Sequence, residues 1–402
     1  MSLYELHREG DAEAVARVLE GSDSRRVRRR AAEVLGDLDD AGDGAVEALV
    51  AAADGDDAIE VRAAAVDALD RIGAGALERF VAELEGVSAG GRADWAAARE
   101  YVNALASDRP EVRMAAATVL GRIGDGEATM PLVDLLDDPE PDVRRRAARA
   151  LGRIGDRRAN EALAAALDDG NPGVRRAAAV ALGALGGDVV GPLVDALDDR
   201  NESVRRAAVD SLGDVGDPAA VEPLVGALDD RSESVRRAAV VAAVDLLSSA
   251  PAERSHEMRE SVVEEFRGMG GDTAVEPLAE LLTEGQQLRQ RRNAAWLLGR
   301  VATDDARAAD ALVGALADED DAVARFAATG LAEMDADAGI EERLLDLIDG
   351  SAATGAKAMA AFTLGKVGGD RARERLDALV DETDDEEVRQ RALSALSKLG
   401  GR

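Results

Sequence analysis

Apolar and polar positions along most of this chain follow a helical rhythm that restarts every 30 or 31 residues. From Glu111 to Leu247 one register opens five times, at Val112-Arg113, Val143-Arg144-Arg145, Val174-Arg175-Arg176, Val204-Arg205-Arg206 and Val235-Arg236-Arg237, in steps of 31, 31, 30 and 31 residues. Within one unit, Asp168 to Gly173 is turn-like. Val174, Ala177, Ala178, Ala181, Leu182 and Leu185 then mark one face of a helix that Gly186-Gly187 ends. The partner helix is visible in Ala219 to Leu228, where Pro223 suits a first turn because its missing N–H has no intrahelical acceptor there. Pro131, Pro192 and Pro277 hold the same slot. Each unit is therefore predicted to be a short helix A, a turn and a helix B, a pair that buries its apolar stripe only against the next pair. Self-similarity at this period predicts an all-α solenoid.

On either side of the regular block the pattern continues less evenly. Leu3, Leu6, Ala14, Val15, Val18 and Leu19 predict an N-terminal capping helix within 1–21. Val27-Arg28-Arg29 opens a helix B that closes at Leu35-Gly36, and the next runs from Val61-Arg62 to Ile72-Gly73. The 51 residues from Val61 to Val112 are roughly 20 too many for one unit. The surplus, within 73–111, holds a linker at Gly86 to Arg92 and a helix-like Ala93 to Ala106 bearing Trp95 and Tyr101. A second surplus, within 248–272, carries a polar helix around His256 to Arg267, after which units resume at Gln290-Arg291, Val323, Ala356-Lys357 and Val388-Arg389. That makes eleven B helices. Because an array grows by adding units, 1–402 is expected to be a single repeat domain.

Asp-Asp, four or five residues, Val-Arg-Arg-Ala-Ala, then Leu-Gly and Ile/Leu/Val-Gly-Asp recur at 137–156, 168–187, 198–217 and 229–237. This pattern resembles HEAT repeats, particularly the HEAT-like repeats of phycobilisome (bilin) lyases. The length, the acidity and the Met-Ser-Leu-Tyr opening are similar to those of a HEAT-like family member of the haloarchaeal taxis and motility machinery. The resemblance implies that the fold is an all-α, right-handed α-solenoid; it does not by itself imply a function, because such scaffolds serve many unrelated partners.

Composition narrows the options. The net charge is −32, from 81 acids against 49 bases, and only Lys357, Lys366 and Lys398 among the bases are lysines. Such a chain resembles the proteins of salt-loving archaea, so its acidity says little about partners. Its field has the wrong sign for nucleic acid, whose binding rests on clustered Lys and Arg, and that partner is disfavoured. Cysteine is absent, which removes disulfides, thiolate nucleophiles and zinc-thiolate sites. Acids stand in the first nine residues where a signal peptide needs an apolar core, and the longest apolar run, Ala238 to Val244, is too short to span a bilayer. A cytoplasmic location without membrane insertion is expected.

The residue after each opener is basic in ten of eleven units, Ala324 being the exception. An anion-binding row is one explanation. The expectation is a structural ladder in which Arg113, Arg144, Arg175, Arg205 and Arg236 bond turn aspartates such as Asp138, Asp169, Asp199 and Asp230 of their own or an adjacent unit. Each rung is worth roughly 0 to 1 kcal/mol if exposed. The second and sixth positions after the opener point away from the core positions on a helical wheel, and in HEAT-like solenoids that face lines the concave groove. The second slot holds Arg29, Arg145, Arg176, Arg206, Arg237, Arg292 and Arg325. The sixth holds Val180, Val241, Trp296 and Phe362, but also Glu33, Asp67, Arg149 and Asp210. Arg237, Val241, Arg292, Trp296 and Phe362 are thus expected to form a partner-binding strip, with Arg292 stacked on the Trp296 ring.

Catalysis has little to work with. His7 and His256 are the only histidines, and the single His256-Glu257 pair is too few for the di-iron site of deoxyhypusine hydroxylase. A HEAT-like DNA glycosylase implies a basic, aromatic-lined groove, and a bilin lyase is suggested by repeat resemblance alone. The turn aspartates are more simply helix caps than cation ligands. No catalytic residue, metal or cofactor is expected. The expected function is a non-enzymatic scaffold that binds a protein partner; the alternative is a bilin-lyase-like or chaperone-like accessory that presents a cofactor or client, and a nucleic-acid-binding HEAT-like protein, favoured only by the second-slot arginines, ranks third.

Overall fold

The computed structural model describes residues 3–38, 41–85, 94–249, 255–268, 272–334 and 339–400. All regular structure among them is helical. The chain divides into two compact units, Met1–Ser211 and Leu212–Arg402.

The first unit opens with two helices where one capping helix was expected. Gly10, at φ +69°, breaks the run between α1 (Leu3–Glu9) and α2 (Ala12–Gly21). Asp11 caps α2, accepting from the Ala14 N–H at 2.9 Å. α2 then packs on α3 (Arg25–Gly36) and α4 (Gly42–Gly55), as the helix A of the first pair, and α4 in turn pairs with α5 (Ile59–Ile72). The surplus over 73–111 is mostly helix. α6 (Ala74–Glu85) and α7 (Asp94–Ala104) both pack on α8 (Pro110–Ile123). The expected Gly86 to Arg92 linker and the Trp95 side chain lie outside the described residues. Tyr101 is buried, and burial, aided by Glu78 and Glu100, pushes its phenol up to about 12.

Regular pairs follow as α9 (Thr129–Asp134) with α10 (Pro141–Ile154), α11 (Asn160–Ala165) with α12 (Pro172–Leu185), and α13 (Val190–Asp195) before α14 (Glu202–Val215). Helix A is short because tight turns flank it: Gly126–Ala128 and Leu135–Asp137 bracket α9. Asp125 and Asp156 each accept from the N–H two residues on, at 2.9 and 3.0 Å, which accounts for the recurrent Gly-Asp. Pro131 and Pro192 are third residues of their helices, where no N–H is called for.

The recurrent Leu-Gly has a packing cause. Gly121, Gly152 and Gly183 lie inside α8, α10 and α12, each facing the following helix B. A Cβ on Gly121 would sit 2.7 Å from the Ala150 Cα, one on Gly152 3.0 Å from the Ala181 Cα, and one on Gly183 2.6 Å from the Ser211 Cβ. Backbones approach this closely only where a side chain is missing.

The second unit continues with α15 (Val221–Gly226) and α16 (Glu233–Ser249), then α17 (Ser255–Gly268), which stands over the polar helix expected there. α17 buries Val262, Val263 and Phe266 as it packs on α15, α16 and α19 (Leu288–Val301), so it carries an apolar stripe beneath its polar face. The His256 side chain lies outside the described residues. α18 (Asp272–Glu284) pairs with α19; unlike its counterparts it is continuous, and Pro277 lies in its interior rather than its first turn. The remaining pairs are α20 (Ala306–Gly314) with α21 (Asp321–Glu333), α22 (Ile340–Asp349) with α23 (Thr354–Val367), and α24 (Asp370–Glu382) with α25 (Glu386–Lys398). Gly365 repeats the close approach, at 2.7 Å from the Ala395 Cα. No helix among the described residues is long and apolar enough to cross a membrane.

Candidate functional site

The arginines after the openers tie neighbouring units together. Arg144 Nε and Nη2 donate to the Asp169 carboxylate at 2.6 and 2.9 Å, while Nη1 donates to the Asp138 carbonyl at 2.7 Å. Arg113 does the same with Asp138 at 2.7 and 2.9 Å, and Arg175 with Asp199 at 2.6 and 2.9 Å. Each arginine thus joins a carbonyl of the turn before its own helix to the aspartate of the next turn. Arg205 and Arg236 make the carbonyl half of this bond to Asp199 and Asp230, at 2.9 and 2.8 Å. Outside the regular block, Arg28 with Asp56 and Arg291 with Asp318 repeat the fork. The aspartate is doubly engaged, since Asp169 and Asp199 also accept from the N–H groups of Asn171 and Asn201 at 2.7 Å.

Burial alone would raise the Asp169 and Asp199 carboxyls, but the arginine hydrogen bond and the turn N–H outweigh it and hold both below their usual range. A lowered folded value gives stability that is present above the unfolded pKa of about 3.9 and is lost as pH falls through the folded value. The stability gap between the wild-type chain and Asp169→Asn should therefore be widest near neutral pH and close below about pH 4. Thermal melts across that range check it; a gap independent of pH would assign the ladder no charge contribution.

In the second unit, the expected strip resolves into three kinds of residue. Arg237 pairs with Glu280, and Arg292 forms a fork to Asp320 at 2.9 and 2.7 Å. Asp320 also caps α21, accepting from Ala322 and Val323 at 3.0 Å, and the Arg292 hydrogen bond leads the causes that hold its carboxyl far below the usual range. Arg292 is therefore not stacked on Trp296, which corrects the expectation. The cations over that ring are Arg300, 4.6 Å from its centroid, and Arg259 of α17 at 5.8 Å. Helical side chains lean toward the N-terminus, so a residue covers the turn before it; Arg300, four residues after Trp296, leans over the ring, whereas Arg292 leans away. Phe362 follows the same rule. Lys366 stands 5.0 Å from its centroid, joined by Lys398 at 4.9 Å and Arg391 at 5.5 Å from α25. Val241, Trp296 and Phe362 are half-buried.

Among the described residues no group of three or more His, Cys, Asp or Glu is placed to hold a metal ion. His7 is exposed on α1.

HEAT repeats match residues 12–100, 129–191, 160–245 and 243–332, and a PBS lyase HEAT-like repeat matches 112–138. The chain belongs to the HEAT repeat family. This HEAT-repeat chain is 45% identical over 407 residues to a HEAT repeat-containing taxis protein of Halobacterium salinarum, covering 100% of this chain and 99% of that one. It is similar to the crystal structure of an engineered protein at 23% identity and a TM-score of 0.46, over 97% of this chain and 99% of the other. It is also similar to the complex of CpcE and CpcF of phycocyanin lyase from Nostoc, at 23% identity and a TM-score of 0.38, over 63% of this chain and 94% of the other. Within the family frame, the periodicity marked the Leu-Gly glycines without their packing role, and it did not single out the cations on the two rings. The i+4 spacing of Arg300 and Lys366 signals the latter; nothing in the local sequence places Arg259, which arrives from another helix.

Proposed function

We propose that this chain is a non-enzymatic scaffold or adaptor of archaeal taxis signalling, acting in the cytoplasm and holding a protein partner on the exposed face of its B helices. The observation that carries the reading is the 45% identity, over the full length of both chains, to a protein named for taxis. A repeat architecture supports it, because stacked pairs offer extended surfaces for protein contact. Within the strip of Arg237, Val241, Arg292, Trp296 and Phe362, the two arginines already hold acids. The half-buried Val241, Trp296 and Phe362, with the cations laid over the two rings, then carry the contact. Expression of this chain in a Halobacterium salinarum strain lacking the relative should restore spreading on soft agar. Failure of a folded, expressed chain to restore it counts against the taxis role.

Trp296→Ala should weaken partner capture by about 2 kcal/mol, the scale of an interface hot spot. The ring is half-buried and its cations are worth about 0.5 to 1 kcal/mol at exposed sites, so the melting curve should move little. Calorimetric titration and thermal melts of the same variant check both. A loss of several kcal/mol of stability with binding intact would make Trp296 a core residue.

A further inference from the structure

In the first unit, the inner slots of one helix B are covered. The second and sixth slots of α8 hold Met114 and Thr118, 0% and 9% exposed, whereas the same slots of α12 hold the exposed Arg176 and Val180. Among the described residues, α8 is the one helix B with both slots buried. A bridge from α10 to α5 covers them. Arg146 of α10, itself buried, donates through Nη1 to the Met114 sulfur at 3.1 Å and through Nη2 to the Ala63 carbonyl at 2.6 Å, and Nη2 lies 2.7 Å from the Asp67 carboxylate. Ala63 and Asp67 are the second and sixth slots of α5. Arg145 reaches Asp67 at 3.5 Å, and Asp70 lies 3.5 Å from Arg122 of α8 and 3.9 Å from Arg153 of α10.

The bridge stands where the stack lacks its usual packing device. Of the ten helices B that another follows, seven carry Gly nine residues after the opener, and Gly36 of α3 shows its use: a Cβ there would sit 2.7 Å from the Ala68 Cα of α5. α21 keeps a small Ala332 at that place, but α5 has Asp70 and α16 has Val244, and each of these two helices precedes a surplus segment. α5 and α8 are thus joined without the glycine, and α6, with Leu77, Phe80 and Val81 buried, packs on both. The bridge is also imperfect, since Arg146 Nε and Arg122 Nη2 are buried without a hydrogen-bond partner among the described residues. Donors left so disfavour the closed arrangement, and water can replace each polar bond of the bridge once it opens. We propose that the joint between α5 and α8 is a hinge about α6, latched by Arg146 on Asp67, which holds α5 over the inner face of α8. Opening adds Met114 and Thr118 to the surface that a partner can reach. The hinge lies wholly within the first unit, so it and the strip on the second unit can fail separately.

The chain has no cysteine, so a single introduced thiol reports the exposure of one position. Thr118→Cys samples the covered face of α8, and Ser211→Cys, on α14 and also buried, samples a position away from the joint. Labelling of the full chain with a soluble thiol reagent in molar KCl tests the hinge. Asp67→Asn combined with Asp70→Asn leaves Arg146 buried without its acid and should raise the labelling rate of Thr118→Cys about tenfold or more. The rate of Ser211→Cys should stay as it was, because only the joint opens. Should the double variant melt lower, Asp70→Asn alone, which removes only the charge facing Arg122 and Arg153, should give a smaller rise at Thr118→Cys and none at Ser211→Cys. An unchanged rate at Thr118→Cys, or equal rises at both positions, overturns the proposal: the first makes the cover permanent, and the second makes its opening the unfolding of the whole unit.

Discussion

Gly121→Val should cost about 3 kcal/mol of stability, the upper end of what overpacking costs in a well-packed interior. A Cβ at this position meets the Ala150 Cα at 2.7 Å and its Cβ at 2.9 Å, and neither is the movable end of a side chain. α8 and α10 would have to separate, and valine adds two methyl groups to the gap. The loss should outweigh the gain of roughly 1 kcal/mol that replacing glycine in a helix normally brings. Gly191→Ala, in α13 with open space around its Cβ, supplies the contrast and should stabilise by about 0.5 to 1 kcal/mol. Denaturant unfolding of both variants at one fixed molar KCl concentration checks the pair. Similar effects from the two substitutions would mean that the Leu-Gly glycine is not a packing device.

Arg175→Met should cost about 3 kcal/mol, well above the value of an exposed ion pair. The Arg175 and Asp199 side chains are only 6% and 12% exposed, and the arginine makes two bonds to the carboxylate and one, at 2.8 Å, to the Asp169 carbonyl. Methionine keeps the packing of the stem but leaves Asp199 with little water and without the guanidinium it is bonded to, Arg200 acting only through its charge. Arg175→Lys should recover only part of the loss, because an ammonium cannot form the fork. A double-mutant cycle with Asp199→Asn should return a coupling of about 1 kcal/mol or more. A loss under about 1 kcal/mol for Arg175→Met would reduce the rung to an ordinary surface pair.

Much of this architecture is written locally. The 31-residue step, the Val-Arg-Arg-Ala-Ala opener and the proline slot act through contacts within one unit or between neighbours, so a periodic reading finds α8 to α16 with few errors. The same reading marked Arg113, Arg144 and Arg175 as ladder residues. The geometry adds that each reaches forward to the next aspartate, with both side chains of the rung largely buried. What was not legible depends on contacts that no local rule specifies. The Leu-Gly glycine answers to an alanine about 29 residues on, as Gly121 does to Ala150, and leaves no hydrophobic signature. Arg292 was paired with the wrong partner because direction along the helix matters as much as spacing, and the cap aspartate at 320 competes for it. The N-terminal break needed the conformation of Gly10, and Arg146 spans 83 residues to reach Ala63.

Partner binding by the second-unit strip is tested most directly by quantitative capture from a Halobacterium salinarum extract in molar KCl. The immobilised baits are the wild-type chain and the Trp296→Ala and Phe362→Ala variants, matched for melting temperature, with retained proteins measured by mass spectrometry. The expected result is a protein held by the wild type and reduced about tenfold or more on both variants. Equal retention on all three baits, or retention on none, contradicts a partner-binding role for this face.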